Sequence, residues 1–388
     1  MKTTGDQQLV KRINRSVLLR QLRVTPGASR AQLAASSGLT KSTVSLLVRE
    51  LIDEGWLSET EGTTPGVLGR PSTPLHYDAS KRALIGVEVA VEAIRVVGIS
   101  LTGQVLWALE EPLNSNTPQN VVRQTARLVS RAHAHLVEHH FLPSGLGVGV
   151  PGAVDDASNE IAIAANLGWR RVPFQSLLQA ALQSANIPTM PVHVQNEADT
   201  AALSEYEFAE GEPQSSLIFV TCGVGLGAGI VLNDRLFTGT RGGAGEIGHS
   251  TLQIDGALCS CGRRGCAETL IGARTLGKLP DPLSAGKYLG VVLQNLWMTF
   301  EPSSMVVGGP TCQKYPDFIK VATESLEEYA RSAGTTAPPV RVARYGQLAS
   351  AVGAAALVLH KYLRPMHSAT DASTVAYSAP IQIDYPAH

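Results

Sequence analysis

The sequence predicts an α/β protein in which an N-terminal winged helix-turn-helix precedes a larger body made of two α/β lobes. Three observations predict this fold. The first 80 residues contain three short helical patterns followed by two strand patterns around a turn-rich segment. Two later stretches, beginning near residues 83 and 218, each run as strands followed by helices, which is typical of a duplicated architecture with a cleft between its halves. The net charge divides between the same two parts of the chain.

Charge is distributed unevenly along the 388 residues. The whole chain carries a formal charge of −1, but residues 1–49 contain nine Lys and Arg against one acid. The first 49 residues therefore carry +8, and the remainder carries −9. This division favours an arm that binds a polyanion, attached to an acidic body. A solvated basic helix face is the alternative.

Composition excludes a membrane or secreted protein. The chain is 44% hydrophobic and 17% charged, which is ordinary for a globular protein of two or three domains. The basic N-terminus lacks the apolar run of a signal peptide, and the most apolar stretch, residues 217–232, is shorter than the ~20 residues of a membrane span. Five cysteines in a chain of this length do not form a disulfide framework. We therefore expect a cytoplasmic protein with no membrane partner.

The first helical patterns fit a helix-turn-helix. Residues 8–23 place apolar side chains at helical spacing, namely Val10, Ile13, Val17, Leu18 and Leu22. Ser29 followed three residues later by Gln32 is a capping box that opens a second helix, and Gly38 ends that helix. Thr40 can cap the third helix, whose apolar stripe lies opposite a polar face.

The third helix is the expected DNA-reading element. In a helix-turn-helix, the second helix of the motif enters the major groove and presents its N-terminal residues to the bases. We therefore expect double-stranded operator DNA as a partner. The predicted contacts are Ser29, Arg30, Lys41, Ser42, Thr43, Ser45, Arg49 and Arg70. A three-helix bundle that binds another protein is the alternative.

A wing is predicted directly after these helices. Short strand patterns at residues 56–58 and 74–77 flank the turn-rich residues 60–70, where Arg70 could reach a phosphate or the minor groove. We therefore assign residues 1–78 to a DNA-binding domain with its wing and linker.

The body shows two rounds of strand and helix patterns. The first round has strands at residues 84–89, 94–99 and 105–107, a helix at 118–140 and a strand at 145–150. The second round has strands at residues 218–222 and 230–232, separated by a glycine-rich turn at 223–229. Two similar rounds predict two lobes.

Six segments of this body resemble the ROK family, which comprises sugar kinases and sugar-responsive repressors. They are residues 147–152 (GVGVPG), 166–169 (NLGW), 195–198 (QNEA), 222–229 (CGVGLGAG), 243–249 (GAGEIGH) and 259–268 (CSCGRRGCAE). The resemblance implies a two-lobed, actin-like sugar kinase fold over residues 79–365, and the N-terminal helix-turn-helix is similar to that of the family's repressors. Residues 366–388 match no pattern, and we expect them to be a disordered tail.

A histidine and three cysteines form a candidate metal site. His249, Cys259, Cys261 and Cys266 supply one imidazole and three thiolates, the composition of a closed tetrahedral zinc site. Gly262 and Gly265 allow the loop to fold tightly around an ion. Because four protein ligands leave no open position, we expect the zinc to be structural. Reduced thiols without metal are the alternative.

The resemblance also implies a sugar site in the cleft. Carboxylates and amides suit sugar hydroxyls because each can bridge adjacent hydroxyl groups. The family pattern implies sugar contacts from Asn196, Glu197, Glu246, His249 and Glu268, with Gly152 and Asn166 as further contacts. His249 would then hold the metal through one ring nitrogen and a hydroxyl through the other. The run at 196–198 is more similar to the family's xylose-type regulators than to its N-acetylglucosamine type, which favours an aldopentose or aldohexose, free or phosphorylated.

Two departures from the family's kinase pattern argue against catalysis. ROK kinases have an Asp at the general-base position, where this chain has Glu197, and Asp-x-Gly-Gly-Thr at the first phosphate turn, where residues 88–92 read EVAVE. Without those glycines, backbone amides cannot approach a phosphate closely, and Glu92 places a carboxylate there. The prediction is therefore a sugar-responsive regulator, most often a repressor in this family, that works as a homodimer or homotetramer and has no catalytic residue. An ATP-dependent sugar kinase with a DNA-binding domain is the alternative, and a zinc-stabilised interaction protein is a third reading.

Overall fold

The chain begins with three helices and a small hairpin. The structure is a computed structural model that describes residues 7–60, 73–155, 158–209, 216–279 and 281–365. The N-terminal elements are α1 (Gln7–Val24), α2 (Arg30–Ser37), α3 (Lys41–Asp53), β1 (Leu57–Glu59) and β2 (Leu75–Tyr77). Strands β1 and β2 pair antiparallel with Leu57 opposite Tyr77, so the winged helix-turn-helix fold is confirmed.

The ends of these helices follow from single residues. The Ser29 hydroxyl accepts from the Gln32 backbone while the Gln32 side chain accepts from the Ser29 backbone, which completes the capping box. Gly38 ends α2 in the left-handed region at φ +71°, a conformation that costs glycine little. The stripe predicted for α1 is wrong at Val10, which is 51% exposed, because burial in α1 begins only at Arg15.

The first lobe is built on a five-stranded sheet. In chain order its elements are β3 (Arg82–Val89), β4 (Ala93–Ser100), β5 (Val105–Pro112), α4 (Pro118–Glu138), β6 (Leu142–Val150), β7 (Ala153–Asp155), β8 (Glu160–Ala164), β9 (Trp169–Val172), α5 (Phe174–Ser184) and β10 (Val192–Asn196). The spatial order of the main sheet is β10-β6-β3-β4-β5, and β7, β8 and β9 form a separate small sheet. Strands β3 to β5 form an antiparallel meander, whereas β6 pairs parallel with β3 and β10.

The second lobe repeats this plan. Its elements are α6 (Glu197–Glu207), β11 (Ser216–Cys222), β12 (Leu226–Leu232), β13 (Arg235–Leu236), α7 (Glu268–Ile271), α8 (Ala273–Leu276), α9 (Gly286–Phe300), β14 (Ser304–Gly308), α10 (Pro310–Lys314), α11 (Pro316–Ser332), β15 (Val340–Val342) and α12 (Ala349–Leu363). The sheet order is β13-β12-β11-β14-β15, again a meander followed by parallel strands. The predicted duplication is confirmed.

One predicted turn is shorter than expected. The glycine-rich run 223–229 was expected to be a turn throughout, but β12 begins at Leu226, where it pairs with Cys222. Gly229 therefore lies inside a strand. A Cβ at this position would come within 2.1 Å of the Ala198 carbonyl oxygen, so close packing of β12 on α6 explains the absent side chain.

Helices α6 and α12 lie together between the two sheets. Helix α12 packs on β3 and β6 at Gly86 and Gly147, where an added Cβ would meet backbone oxygens of α12 at 1.9 and 1.7 Å. Helix α6 packs on α12 and on β12. One hydrophobic cluster runs from the N-terminal helices through Trp56 into α6 and α12, so the DNA-binding domain shares a core with the body. Within the part of the chain described, no helix is both long and apolar enough to cross a membrane.

The contact between α6 and α12 depends on Gly353. A Cβ at Gly353 would lie 1.6 Å from the Thr200 carbonyl oxygen, an overlap that no side-chain rotation relieves. Gly353→Ala is therefore expected to lower the free energy of unfolding by about 3 kcal/mol, although alanine is the better helix former. Urea denaturation measures the change. Gly243→Ala is the control, because a Cβ there meets nothing within 4 Å and should cost little.

Candidate functional site

The four predicted metal ligands converge. Their ligand atoms all lie within 4.8 Å of one another. The Cys259 Sγ is 3.6 Å from the His249 Nδ1, and the Cys261 Sγ is 3.7 Å from the Cys266 Sγ. With Zn–S near 2.3 Å and Zn–N near 2.05 Å, a tetrahedral site has edges of about 3.6 Å and 3.8 Å for these pairs. The residues therefore form a site that can hold a tetrahedral metal ion.

Backbone pairing brings the four ligands together. Leu258 pairs with Arg264, and the Cys259 amide donates to the Arg263 carbonyl at 2.8 Å, so the cysteine loop is a tight hairpin. Gly262 and Gly265 have φ of +86° and +69°, as their predicted role requires. A hydrogen bond from the Arg263 backbone lowers the pKa of Cys261 to about 6, which favours the thiolate that a metal requires.

Carboxylates from both lobes meet beside this metal site. Glu197 begins α6. Glu246 lies in the loop after β13, and this loop is held against β12 because the Gly245 carbonyl accepts from the Ala228 amide at 2.8 Å. Burial, then the nearby Glu88 and Glu246, raise the pKa of Glu197 to about 8. Burial also raises the pKa of Glu246, although the residue keeps an exposed surface, while His249 lowers this pKa and Glu268 raises it further. The predicted residues Glu197, Glu246, His249 and Glu268 thus form one electrostatically linked group.

The raised pKa of Glu197 has a consequence for stability. Because the folded pKa is about 8 and the ordinary value is 4.5, the folded protein keeps a proton that the unfolded chain loses, so Glu197 costs stability as the pH rises through this window. Glu197→Gln cannot ionise. We expect its unfolding free energy relative to wild type to rise by about 2 kcal/mol between pH 6 and pH 8.5, measured by urea denaturation. A difference that stays constant with pH would contradict this account.

A hydrogen bond joins Asn196 to Gly152. The Asn196 Oδ1 caps α6 by accepting from the Ala198 and Asp199 amides, and its Nδ2 donates to the Gly152 carbonyl at 2.8 Å. Gly152 has φ +103°, and a Cβ there would lie 2.1 Å from the Ile163 carbonyl oxygen. Both residues therefore shape the first turn of α6, next to Glu197.

The remaining predicted cleft residues differ in position. Glu268 starts α7, and its Oε2 lies against Gly225 in the turn between β11 and β12. Asn166 lies exposed in a single 3₁₀ turn, Ala165–Leu167, and no contact in the described ranges joins it to the carboxylates. Trp169 is buried: its indole stacks on Phe174 with ring centroids 5.7 Å apart and donates to the Asn116 carbonyl.

A largely buried ion pair close to Glu197 was not predicted as part of the site. Glu88 on β3 accepts from Arg95 on β4 at 2.9 Å, and Arg95 also binds Glu110 at 2.7 Å. Burial raises the pKa of Glu88, although Arg95 opposes this. The signal in the sequence was a single acid inside the apolar strand 84–89, which only the kinase comparison had singled out.

Helix α3 presents the expected polar face. Lys41, Ser42 and Arg49 are exposed and Ser45 is half-buried, while Val44, Leu47, Val48 and Leu51 are buried. Thr40 caps the helix, because its hydroxyl accepts from the Thr43 amide at 3.2 Å. A basic, hydroxyl-bearing surface at the start of this helix suits contacts to phosphates and base edges.

Other predicted DNA contacts are engaged within the protein. Ser29 is 7% exposed and its hydroxyl belongs to the capping box, so it offers DNA little surface. Arg30 pairs with Glu59 of the wing strand at 2.9 Å, and the Thr43 hydroxyl bonds the Thr40 hydroxyl at 2.8 Å. Arg70 lies outside the described residues.

Comparison with known proteins identifies both parts of the chain. The family model of winged helix-turn-helix DNA-binding domains matches residues 12–58, and that of the ROK family matches residues 84–280, half of the chain. The chain belongs to the ROK family. The xylose repressor of Caldicellulosiruptor bescii is 33% identical over 275 residues, covering 70% of this chain and 67% of that protein. The xylose repressor of Bacillus subtilis is 27% identical over 385 residues, covering 92% and 98%.

A solved structure shares the fold of this chain. A ROK family transcriptional regulator, described as a homologue of the E. coli MLC protein, superposes with a TM-score of 0.73 at 20% identity, covering 92% of this chain and 97% of that one. The similarity shows a shared fold. Proteins named glucokinase are also among the relatives, so the ROK body occurs in both regulators and kinases.

Proposed function

We propose that this ROK protein is a sugar-responsive transcriptional repressor whose operator affinity depends on a sugar in the cleft. The carrying observation is the linked group of Glu197, Glu246, His249 and Glu268, which Glu88 of the first lobe also approaches, on a chain that carries an exposed helix α3. The xylose repressors among its relatives support an aldopentose, with D-xylose first, or an aldohexose.

Each cleft residue has a proposed part in sugar recognition. The Glu246 and Glu268 carboxylates accept from hydroxyl groups, whereas Glu197, which keeps its proton at neutral pH, can also donate. Asn196 has an Nδ2 hydrogen to offer besides the one it gives Gly152. We retain Gly152 and Asn166 as further contacts.

The bound metal in this proposal is zinc with a structural role. The distances among His249, Cys259, Cys261 and Cys266 fit its tetrahedral coordination, and soft thiolates favour zinc over hard cations. Since Nδ1 of His249 faces Cys259, Nε2 stays available to the sugar. The metal would hold His249 in place, and with it the loop that carries Glu246. Reduced thiols imply work in the cytoplasm.

We propose that the cleft does not transfer phosphate. The phosphate turn supports this proposal more than Glu197 does, because a glutamate with a pKa of about 8 still ionises in part near neutral pH and can accept a proton. Close to Glu197, the Glu88 carboxylate is paired with Arg95. The turn after β3 lacks the glycines that let backbone amides approach a phosphate. An ATP-dependent sugar kinase is the second candidate, favoured by the glucokinase relatives.

The DNA partner is proposed to bind along α3 and the wing. Lys41, Ser42, Ser45 and Arg49 contact the major groove, while Arg30, Thr43 and Arg70 contact the backbone. Operators read by helix-turn-helix proteins commonly have two half-sites, so we propose a homodimer or homotetramer.

Calorimetric titration with D-xylose, D-glucose and their phosphates tests the sugar site, beside a coupled ATP assay. We expect one of these compounds to bind without turnover, and Glu246→Gln to abolish binding. Glu324→Gln, an exposed carboxylate on α11, is the matched control and should bind normally. Robust turnover that Glu197→Ala abolishes would establish the kinase instead.

A further inference from the structure

Helix α6 joins the sugar site to the DNA-binding domain. Its first residue, Glu197, lies among the cleft carboxylates, and its last, Glu207, is buried against α1. Eleven residues span about 16 Å at 1.5 Å per residue. Every residue between Ala198 and Glu207 is buried, so α6 runs through the interior from one site to the other.

Close backbone packing makes α6 a rigid element. On one side, Gly229 of β12 lies against the Ala198 carbonyl, and on the other, Gly353 of α12 lies against the Thr200 carbonyl. The Thr200 hydroxyl also bonds the Ser350 hydroxyl of α12 at 3.0 Å. Interfaces packed this tightly shift as units rather than deforming continuously. A displacement at Glu197 is therefore carried to the far end of the helix.

The far end of α6 is an ionic junction with α1. Glu207 accepts from Arg23 of α1, from the His360 Nδ1 at 2.6 Å and from Arg364 at 2.9 Å. Burial opposes ionisation, but Arg23 and Arg364 more than offset it and hold the pKa of Glu207 below its ordinary value. Asp234 pairs with Arg364 as well, and it lies 3.5 Å from Arg23 and 3.2 Å from Arg20 of α1.

A second contact joins the DNA-reading helix to α12. Trp56, three residues after the end of α3, stacks on Tyr362 with ring centroids 4.3 Å apart. The guanidinium of Arg82 lies over the same indole at 5.0 Å, and its Nε donates to the Glu54 carbonyl at 2.7 Å. Because α12 also carries His360 and is followed directly by Arg364, its C-terminal end contacts both α1 and the segment after α3.

We propose that α6 couples sugar occupancy to the placement of the DNA-binding domain, with Glu207 and Arg23 as its positioning pair. This inference rests on the proposed function, because it requires a sugar at Glu197. Sugar contacts move the first turn of α6, the rigid helix shifts Glu207, and Arg23 follows with α1. Through the shared core and Trp56, α3 changes its position relative to the body.

Glu205 provides a matched control on the same helix. It is a buried carboxylate two residues before Glu207, but its partners, Arg341 and the Arg344 amide at 2.7 Å, belong to the body. Loss of Glu205 disturbs the end of α6 without touching α1. Arg23→Met is the informative variant, because Glu207 keeps Arg364 and His360, while Arg23→Lys preserves the charge.

Hydrogen–deuterium exchange with and without D-xylose tests this coupling and requires no operator. In wild type we expect D-xylose to change exchange in α1 and α3, more than 15 Å from the sugar by the length of α6. In Arg23→Met the same change should fall by about threefold or more while calorimetry shows undiminished D-xylose binding. Glu205→Gln should respond like wild type, and Arg23→Lys should respond more than Arg23→Met.

The possible outcomes distinguish a failure of the proposed coupling from a failure of the proposed function. A response of α1 and α3 that persists in full in Arg23→Met overturns the coupling role of the pair, while leaving the sugar site intact. An equal loss in Glu205→Gln also overturns it, because the effect would then come from general loosening of α6. If neither D-xylose, D-glucose nor their phosphates bind wild type, the sugar assignment itself is contradicted, and the inference falls with it; if another of these compounds binds, the exchange experiment uses that compound.

Discussion

Cys266→Ser is expected to remove the proposed zinc ion and to abolish sugar binding. Cys266 is fully buried, and its Sγ lies 3.7 Å from that of Cys261, so a serine leaves three ligands around a position built for four. Without the ion, His249 and the loop carrying Glu246 lose the anchor that orients them. Because structural zinc contributes on the order of 10 kcal/mol in small zinc domains, we also expect a clearly lower unfolding temperature.

Elemental analysis and calorimetry measure these effects together. Wild type should contain about one zinc per chain, as four ligands around one ion require, and Cys266→Ser should contain almost none. Cys312→Ser is the control, since Cys312 is buried outside the cluster with its Sγ 3.3 Å from the Gly308 carbonyl. Full zinc content in Cys266→Ser would show that the four residues do not hold the ion.

Replacing Ser42, Ser45 and Arg49 together by alanine is expected to weaken operator binding by about a thousandfold. Each good base contact contributes roughly 1–3 kcal/mol, so the loss of contacts from three side chains is expected to cost on the order of 4 kcal/mol, which is about a thousandfold in affinity. The fold should survive, because none of these side chains belongs to the core of α3. Fluorescence anisotropy with DNA selected by the protein from a random library measures the affinity.

A charge-matched control separates recognition from general attraction. Arg331→Ala removes one exposed arginine from α11, where its contact is Glu327 at 3.9 Å. This variant should bind DNA as wild type does. Wild-type affinity in the triple variant would instead mean that α3 is not the reading helix.

Local patterns in the sequence were sufficient for much of the fold. The capping box at Ser29, the glycine end at Gly38 and the strand alternation each depend on neighbours within a few residues. The metal ligands could be predicted because three of them lie within eight residues and ligand chemistry restricts the residue types.

Contacts between distant segments could not be predicted in this way. Arg23 and Glu207 are 184 positions apart, and each alone is an ordinary charged residue in a helix. Glu88 and Arg95 become informative only once the β3–β4 register places them opposite one another. Similarly, the sequence indicated a turn at Gly229. This position requires glycine because β12 approaches α6 closely there, and that contact exists only in the folded chain.

The most direct test of the central claim is the affinity of wild-type protein for its selected DNA as D-xylose is raised. A sugar that binds the DNA-free protein more tightly than the DNA-bound protein lowers the affinity for DNA. By linkage, DNA then lowers the affinity for the sugar by the same factor. We predict a fall of about tenfold or more, absent in Glu246→Gln. An affinity that stays constant for D-xylose, D-glucose and their phosphates would contradict the account.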